Sequence, residues 1–126
     1  MKLFILRHAK TEQESATGED FDRDLKRKGI NQLELMRKFF SSNFKEESFN
    51  IYCSSAKRTR STFRKLKPEI NVLNISYHDE LYLASLDQLK QFLTDQSDEN
   101  ENILLIGHNY GLSDLCTYIS GEKTLL

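Results

Sequence analysis

Lys2–Lys10 reads KLFILRHAK: an unbroken apolar run, Leu3–Leu6, that ends on an arginine beside a histidine. A short run with no polar residue alternating into it is the pattern of a strand covered on both faces, as in parallel sheets. The interior of such a strand has no use for an Arg-His pair. A site at the strand's end does. The pattern returns at Asn102–Gly107, NILLIG, which stops just before His108 and Asn109. Two further runs, FNIYCS at 49–54 and INVLNISY at 70–77, are β-branched and aromatic and also read as strands.

Helical patterns lie between these runs. Leu33, Met36, Phe40 and Phe44 recur at three- and four-residue steps, and so do Thr59, Phe63 and Leu66. Ser85 followed by Gln88 is a capping box, with Leu86, Leu89 and Phe92 on one face of the helix it opens. Leu112, Leu115, Cys116 and Ile119 form the last stripe. The alternation of strand and helix predicts one domain over residues 1–126, a three-layer α/β/α sandwich with a mainly parallel sheet.

Composition narrows the function. The chain has 126 residues, 38% of them hydrophobic, enough for one core. Its 18 basic and 19 acidic residues leave a formal net charge of -1, which speaks against a dedicated nucleic-acid or membrane-surface protein. The balance hides an asymmetry: KRTRSTFRKLK at 57–67 is basic wherever it is charged, and 79–101 is mostly acidic. The 2 cysteines, Cys53 and Cys116, have no metal-ligand spacing and read as packed, reduced thiols of a cytoplasmic protein. No secretory leader and no membrane-length apolar stretch is seen.

In an open parallel sheet, ligands bind beyond the carboxyl ends of the strands. Arg7 and His8 follow the first strand there, and SSAKR follows the second with Arg58 in the first turn of a helix. His78-Asp79-Glu80 follows the third and Gly107-His108-Asn109 the fourth. Arginine stays charged and offers a planar fork of donors that matches a tetrahedral oxyanion. A neutral imidazole held by a hydrogen bond at its other nitrogen is a nucleophile. Together they suit phosphoryl transfer to a histidine.

These residues resemble the histidine phosphatase superfamily, and within it the small SixA-type phosphohistidine phosphatases. LRHAKT at 6–11 is similar to the superfamily's Arg-His signature. DFDRDLKRKG at 20–29, CSSAKRTRST at 53–62 (with Ser54, Arg58 and Thr62), DELYLAS at 79–85 and IGHNYGLSDL at 106–115 resemble the branch's later motifs in the same order. Tyr110 stands where the branch usually has proline. The resemblance implies a phosphoglycerate mutase-like fold and no metal or other cofactor. It implies His8 as nucleophile, and Arg7, Arg58 and His108 as holders of the phosphoryl group. Arg23 is a candidate for binding substrate phosphate and Glu80 for donating a proton. In the family a further strand follows the GHN helix. This chain stops at GEKTLL, so the resemblance implies a C-terminally short domain lacking the last strand.

The expected activity is a metal-independent phosphatase with a phosphohistidine intermediate, acting on protein phosphohistidine. The expected partner is a phosphorylated protein, such as a histidine phosphotransfer domain whose acidic surface meets the basic helix at 57–67, or a small phosphorylated molecule. The alternatives are a small-molecule phosphomonoesterase of the same superfamily and a catalytically weak phosphate-binding regulatory module. Lys57, Arg60, Arg64 and Lys65 read as a solvated face, His78 as a surface histidine, both cysteines as core, and the acidic run 95–102 as a polar loop.

Overall fold

The structure is a computed structural model that describes residues 2–96 and 102–121. The four expected strands are present as β1 (Leu3–Arg7), β2 (Ser48–Ser54), β3 (Asn71–His78) and β4 (Asn102–Gly107). All pair in parallel, in the order β1-β4-β2-β3. The helices are α1 (Arg27–Asn43), α2 (Lys57–Leu66), α3 (Leu86–Asp95) and α4 (Gly111–Ser120). Three single-turn 3-10 segments lie at Asp20–Asp22, Lys67–Glu69 and Asp79–Leu81.

The three layers follow from the direction of the crossovers. From β1 to β2 to β3 the chain moves one way across the sheet, so right-handed connections put α1 and α2 on one face. Reaching β4 reverses that direction and puts α3 on the other. The cores agree. Phe49, Ile51, Cys53, Leu104 and Ile106 pack with Phe40 of α1 and Phe63 of α2. Tyr52, Ile103 and Leu105 pack with Leu89 and Phe92 of α3 and with Leu112 and Leu115 of α4. Alternate residues of β2 and β4 therefore face opposite layers; in β4 both sets are apolar because both faces are covered, while β2 sets Asn50 and Ser54 beside Tyr52 on the side of α3.

The capping box forms: Ser85 Oγ accepts from Gln88 N–H and the Gln88 side chain accepts from Ser85 N–H. Two expectations are corrected. Two covered faces hold for β2 and β4, but β1 and β3 are the sheet's edges and are only half-buried along much of their length, with Leu73 54% exposed. Ile119 leaves the apolar stripe of α4 and is 56% exposed, because it lies in the last turn, where no described residue covers it; Cys116 is half-buried. Residues 97–101 of the acidic run and 122–126 of the chain end lie outside the described residues. Among the described residues no helix is long and apolar enough to cross a membrane.

Two glycines are required by close approach. A Cβ on Gly111 would lie 1.9 Å from the carbonyl oxygen of Ala84, and one on Gly29 2.2 Å from that of Lys10. Gly111 seats the start of α4 behind His108, and Gly29 seats the start of α1 against the segment that follows His8.

Candidate active site

The register of the sheet builds the site. Arg7 pairs with Gly107, so the residues that leave β1 and β4 side by side are His8 and His108. The His8 N–H donates to Gly107 C=O at 3.2 Å, and the two imidazole centroids are 5.3 Å apart. A cavity of about 420 Å³ opens over them, walled by Arg7, Arg23, Arg58, Thr11 and Asp20, with Leu83, Asn109 and Tyr110 completing it.

The spacing of Ser54, Arg58 and Thr62 has a physical reason. Ser54 ends β2, and its Oγ lies 2.8 Å from His108 Nε2. Four residues on, in the first turn of α2, Arg58 enters the cavity wall with its side chain 4% exposed. One turn further, Thr62 Oγ accepts from Ala9 N–H at 3.1 Å and donates to Arg58 C=O at 2.8 Å. One strand end and one helical face thus hold His108, the guanidinium and the loop carrying His8.

His8 has a defined tautomer. Its Nδ1 lies 2.7 Å from the Ala9 carbonyl oxygen, which can only accept, so Nδ1 carries the proton and Nε2 keeps its lone pair. Burial pushes the imidazole down from its ordinary 6.5 to about 4, and the charges of Arg58, Arg7 and Arg23 add to this against the Ala9 hydrogen bond. Burial, then Arg58 and His8, take His108 to about 3. Its Nδ1 is buried with no protein partner among the described residues. At neutral pH the cavity therefore offers two neutral imidazoles among arginines.

Asp20 went unrecognised in the sequence and is the hub of the site. Its carbonyl oxygen accepts from Arg58 Nη1 at 2.8 Å and its Oδ2 from Arg58 Nη2 at 3.1 Å. Oδ1 accepts from Arg23 Nη1 at 3.0 Å, and Oδ2 also takes a short hydrogen bond from the Tyr82 hydroxyl. Arg23 is fixed further by Glu12 C=O at 2.7 Å and Thr11 Oγ1 at 2.6 Å. The hydrogen bond from Tyr82, followed by those from Arg23 and Arg58, takes the Asp20 carboxyl from its ordinary 3.8 down to about 2 despite its partial desolvation. It is an anion that positions two arginines, not an acid. A carboxylate three residues before Arg23 in DFDR was the available signal.

The structure brings Arg7, His8, Arg23, Arg58 and His108 together around one cavity. Glu80 is not among its walls. Its side chain is 68% exposed and pairs with His78 Nδ1 at 3.3 Å, because the 3-10 turn after β3 directs it away. His78 is half-buried rather than free on the surface, set between the rings of Tyr52 and Phe92.

The buried imidazoles predict an acid-sensitive fold. Unfolded, both histidines protonate near pH 6.5; folded and free of ligand, they stay neutral to about pH 4 and 3. Between those values the unfolded chain binds more protons, so the stability present above about pH 6.5 falls as the pH drops toward 4 and below. Thermal unfolding from pH 7 to 4 is expected to show a falling Tm, with a shallower slope in His108→Gln. Parallel slopes for the two proteins would contradict the neutral buried state of His108.

Residues 3–102 match the histidine phosphatase superfamily (branch 1). No curated protein matches the chain significantly. Among solved structures, the chain is similar to a protein from Agrobacterium tumefaciens described as a candidate phosphohistidine phosphatase SixA, at 27% identity and a TM-score of 0.83, over 95% of this chain and 77% of that one. A second such SixA, from Nakamurella multipartitia, matches at 25% identity and a TM-score of 0.73, over 90% of this chain and 62% of that one. Phosphoglycerate mutase from Plasmodium falciparum, at 17% identity and a TM-score of 0.57 over 94% of this chain and 74% of that one, shares the fold.

Proposed function

Because this chain belongs to the histidine phosphatase superfamily, we propose that it is a metal-independent, cytoplasmic phosphatase that removes phosphate from protein phosphohistidine through a phosphohistidine on His8. The observation that carries the reading is the set of groups on one cavity: a neutral histidine with a free Nε2, three arginines, a second neutral histidine, and no carboxyl group other than an ionised one among the described walls.

The Nε2 lone pair of His8 attacks phosphorus while the substrate's P–N bond breaks. The bonding pair leaves with the substrate imidazole, which takes up a proton. Water then attacks the phosphorus of phospho-His8, the new P–N bond breaks, and phosphate departs with His8 neutral again. Arg7, Arg58 and the unpartnered Nδ1 of His108 receive the equatorial oxygens, with Arg23 behind them. Arginines here supply the positive charge that a metal supplies in other phosphoryl-transfer sites.

The missing acid selects the substrate class. An alkyl phosphate leaves as an alkoxide and gains roughly 10²–10⁴-fold from a positioned general acid. An imidazole leaving group protonates near neutral pH by itself. Turnover of a phosphohistidine peptide and of glycerol phosphate, both with EDTA present, tests this. The peptide is expected to be favoured in kcat/KM by about 10²-fold or more. Preference for the ester would make the protein a small-molecule phosphomonoesterase. Binding of phosphate without turnover of either substrate would make it a regulatory module.

A further inference from the structure

The cations of α2 are largely engaged. Lys57 lies 3.8 Å from Asp24, Arg58 is bound to Asp20, and Arg60 stacks over Tyr77 with 5.3 Å to the ring centroid. Arg64 and Lys65, in the last turn of α2, have no ion pair among the described residues but face the negative end of the helix dipole, whereas a cluster of cations without that compensation lies where the segment after His8 meets the start of α1. Lys10 C=O accepts from Lys26 N–H at 3.1 Å, and the absent Cβ of Gly29 lets the Lys10 backbone press on the helix. Backbone geometry thus groups Lys10, Lys26, Arg27 and Lys28, with Arg7 beside them. None of these five is ion-paired to a carboxylate among the described residues.

Local stability does not explain this cluster. The first turn of α1 has no acidic residue and its N-cap, Lys26, makes no side-chain cap, so Lys26, Arg27 and Lys28 all face the positive end of the helix dipole. Lys28 crowds Lys10 most strongly and, with Lys26 and Arg7, pushes the Lys10 ammonium below its ordinary pKa, although it is fully exposed. Like charges held together by the backbone are unfavourable until an anion covers them. The cluster borders the cavity, because Arg7 and Thr11, on either side of Lys10 in the chain, line its wall.

We infer that Lys10, Lys26, Arg27 and Lys28 form a docking surface for an acidic protein segment that presents its phosphorylated histidine to the cavity. The inference rests on the phosphatase reading above and names what would select its substrate. Nucleic acid fits less well: residues 7–12 and 24–29 contain no Phe, Tyr or Trp on which bases could stack, and His8, their one aromatic ring, lies in the cavity.

The test uses two synthetic phosphohistidine peptides, one with glutamates around the histidine and one with glutamines in the same places, and phosphoramidate as the small substrate. The acidic peptide is expected to have roughly tenfold higher kcat/KM at low ionic strength, an advantage lost near about 0.5 M salt. Lys10→Gln/Lys28→Gln is expected to remove that advantage, change phosphoramidate turnover less than about twofold, and leave Tm no lower than wild type. Equal turnover of the two peptides by wild type, or an advantage that survives in the variant, overturns the inference. Tight binding of a single-stranded oligonucleotide through the same lysines, with no peptide preference, assigns the surface to nucleic acid instead. If wild type turns over no substrate, the phosphatase reading fails. Anisotropy of the labelled, unphosphorylated acidic peptide then judges the surface alone: binding that needs Lys10 and Lys28 supports it, and no binding overturns it.

Discussion

His8→Ala is expected to reduce hydrolysis of phosphohistidine by about 10⁴-fold or more, because removing a nucleophile eliminates the covalent route itself. The change leaves Arg7, Arg58 and His108 in place, so phosphate binding should persist while turnover disappears. The fold should persist as well. His8 is only partly buried, its side-chain hydrogen bond goes to the adjacent Ala9 carbonyl, and the loop is tied separately by Ala9 N–H to Thr62 and by Lys26 N–H to Lys10. Single-turnover assays with a phosphohistidine peptide, together with acid-labile phosphate trapped on the protein, check this. A labelled intermediate in wild type that is absent from His8→Ala is the expected pair of results. An intermediate that survives in the variant would move the nucleophile to another residue.

Arg58→Lys is expected to lower kcat/KM by about 10²-fold, close to the loss from Arg58→Ala. The reason is geometric. Arg58 sends one Nη to the Asp20 carbonyl oxygen and the other to the Asp20 carboxylate, a two-pronged attachment that holds the plane of the guanidinium. An ammonium carries its donors on one nitrogen, so it cannot reproduce the planar fork or present a second donor edge to a phosphoryl oxygen. Asp20→Asn is expected to act through the same arginine, with a smaller loss. Combined with Arg58→Lys, it should add much less than its separate effect, since the two changes damage one unit. Kinetics of the two single variants and the double variant measure that coupling. Fully additive losses would mean that Asp20 does not work by orienting Arg58.

The order of strands and helices was legible because periodicity is a local property. The apolar runs of β1 and β4 and the spacing of Leu33, Met36 and Phe40 need no knowledge of the rest of the chain. The candidate residues were legible for a related reason. A charged or titratable side chain at the end of an apolar strand has no role in the core, and Arg7, His8 and His108 occupy such places, while Arg58 stands in the first turn of the helix that follows β2. Glu80 satisfies the same rule and yet faces away, paired with His78. Position at a strand end brings a residue to the correct edge of the sheet. The turn that follows decides its direction.

The sequence by itself determined the alternating α/β organisation, the resemblance carried by its motifs, and five of the residues that line the cavity, Arg7, His8, Arg23, Arg58 and His108. Tertiary structure decided that β4 inserts between β1 and β2, which makes His8 and His108 neighbours across 100 positions of chain. It also decided that Asp20 holds Arg58 and Arg23 together, and that Lys10 and Lys28 share one patch of surface. Strand order and close backbone approach depend on which distant surfaces bury each other, and that free energy is a property of pairs of elements.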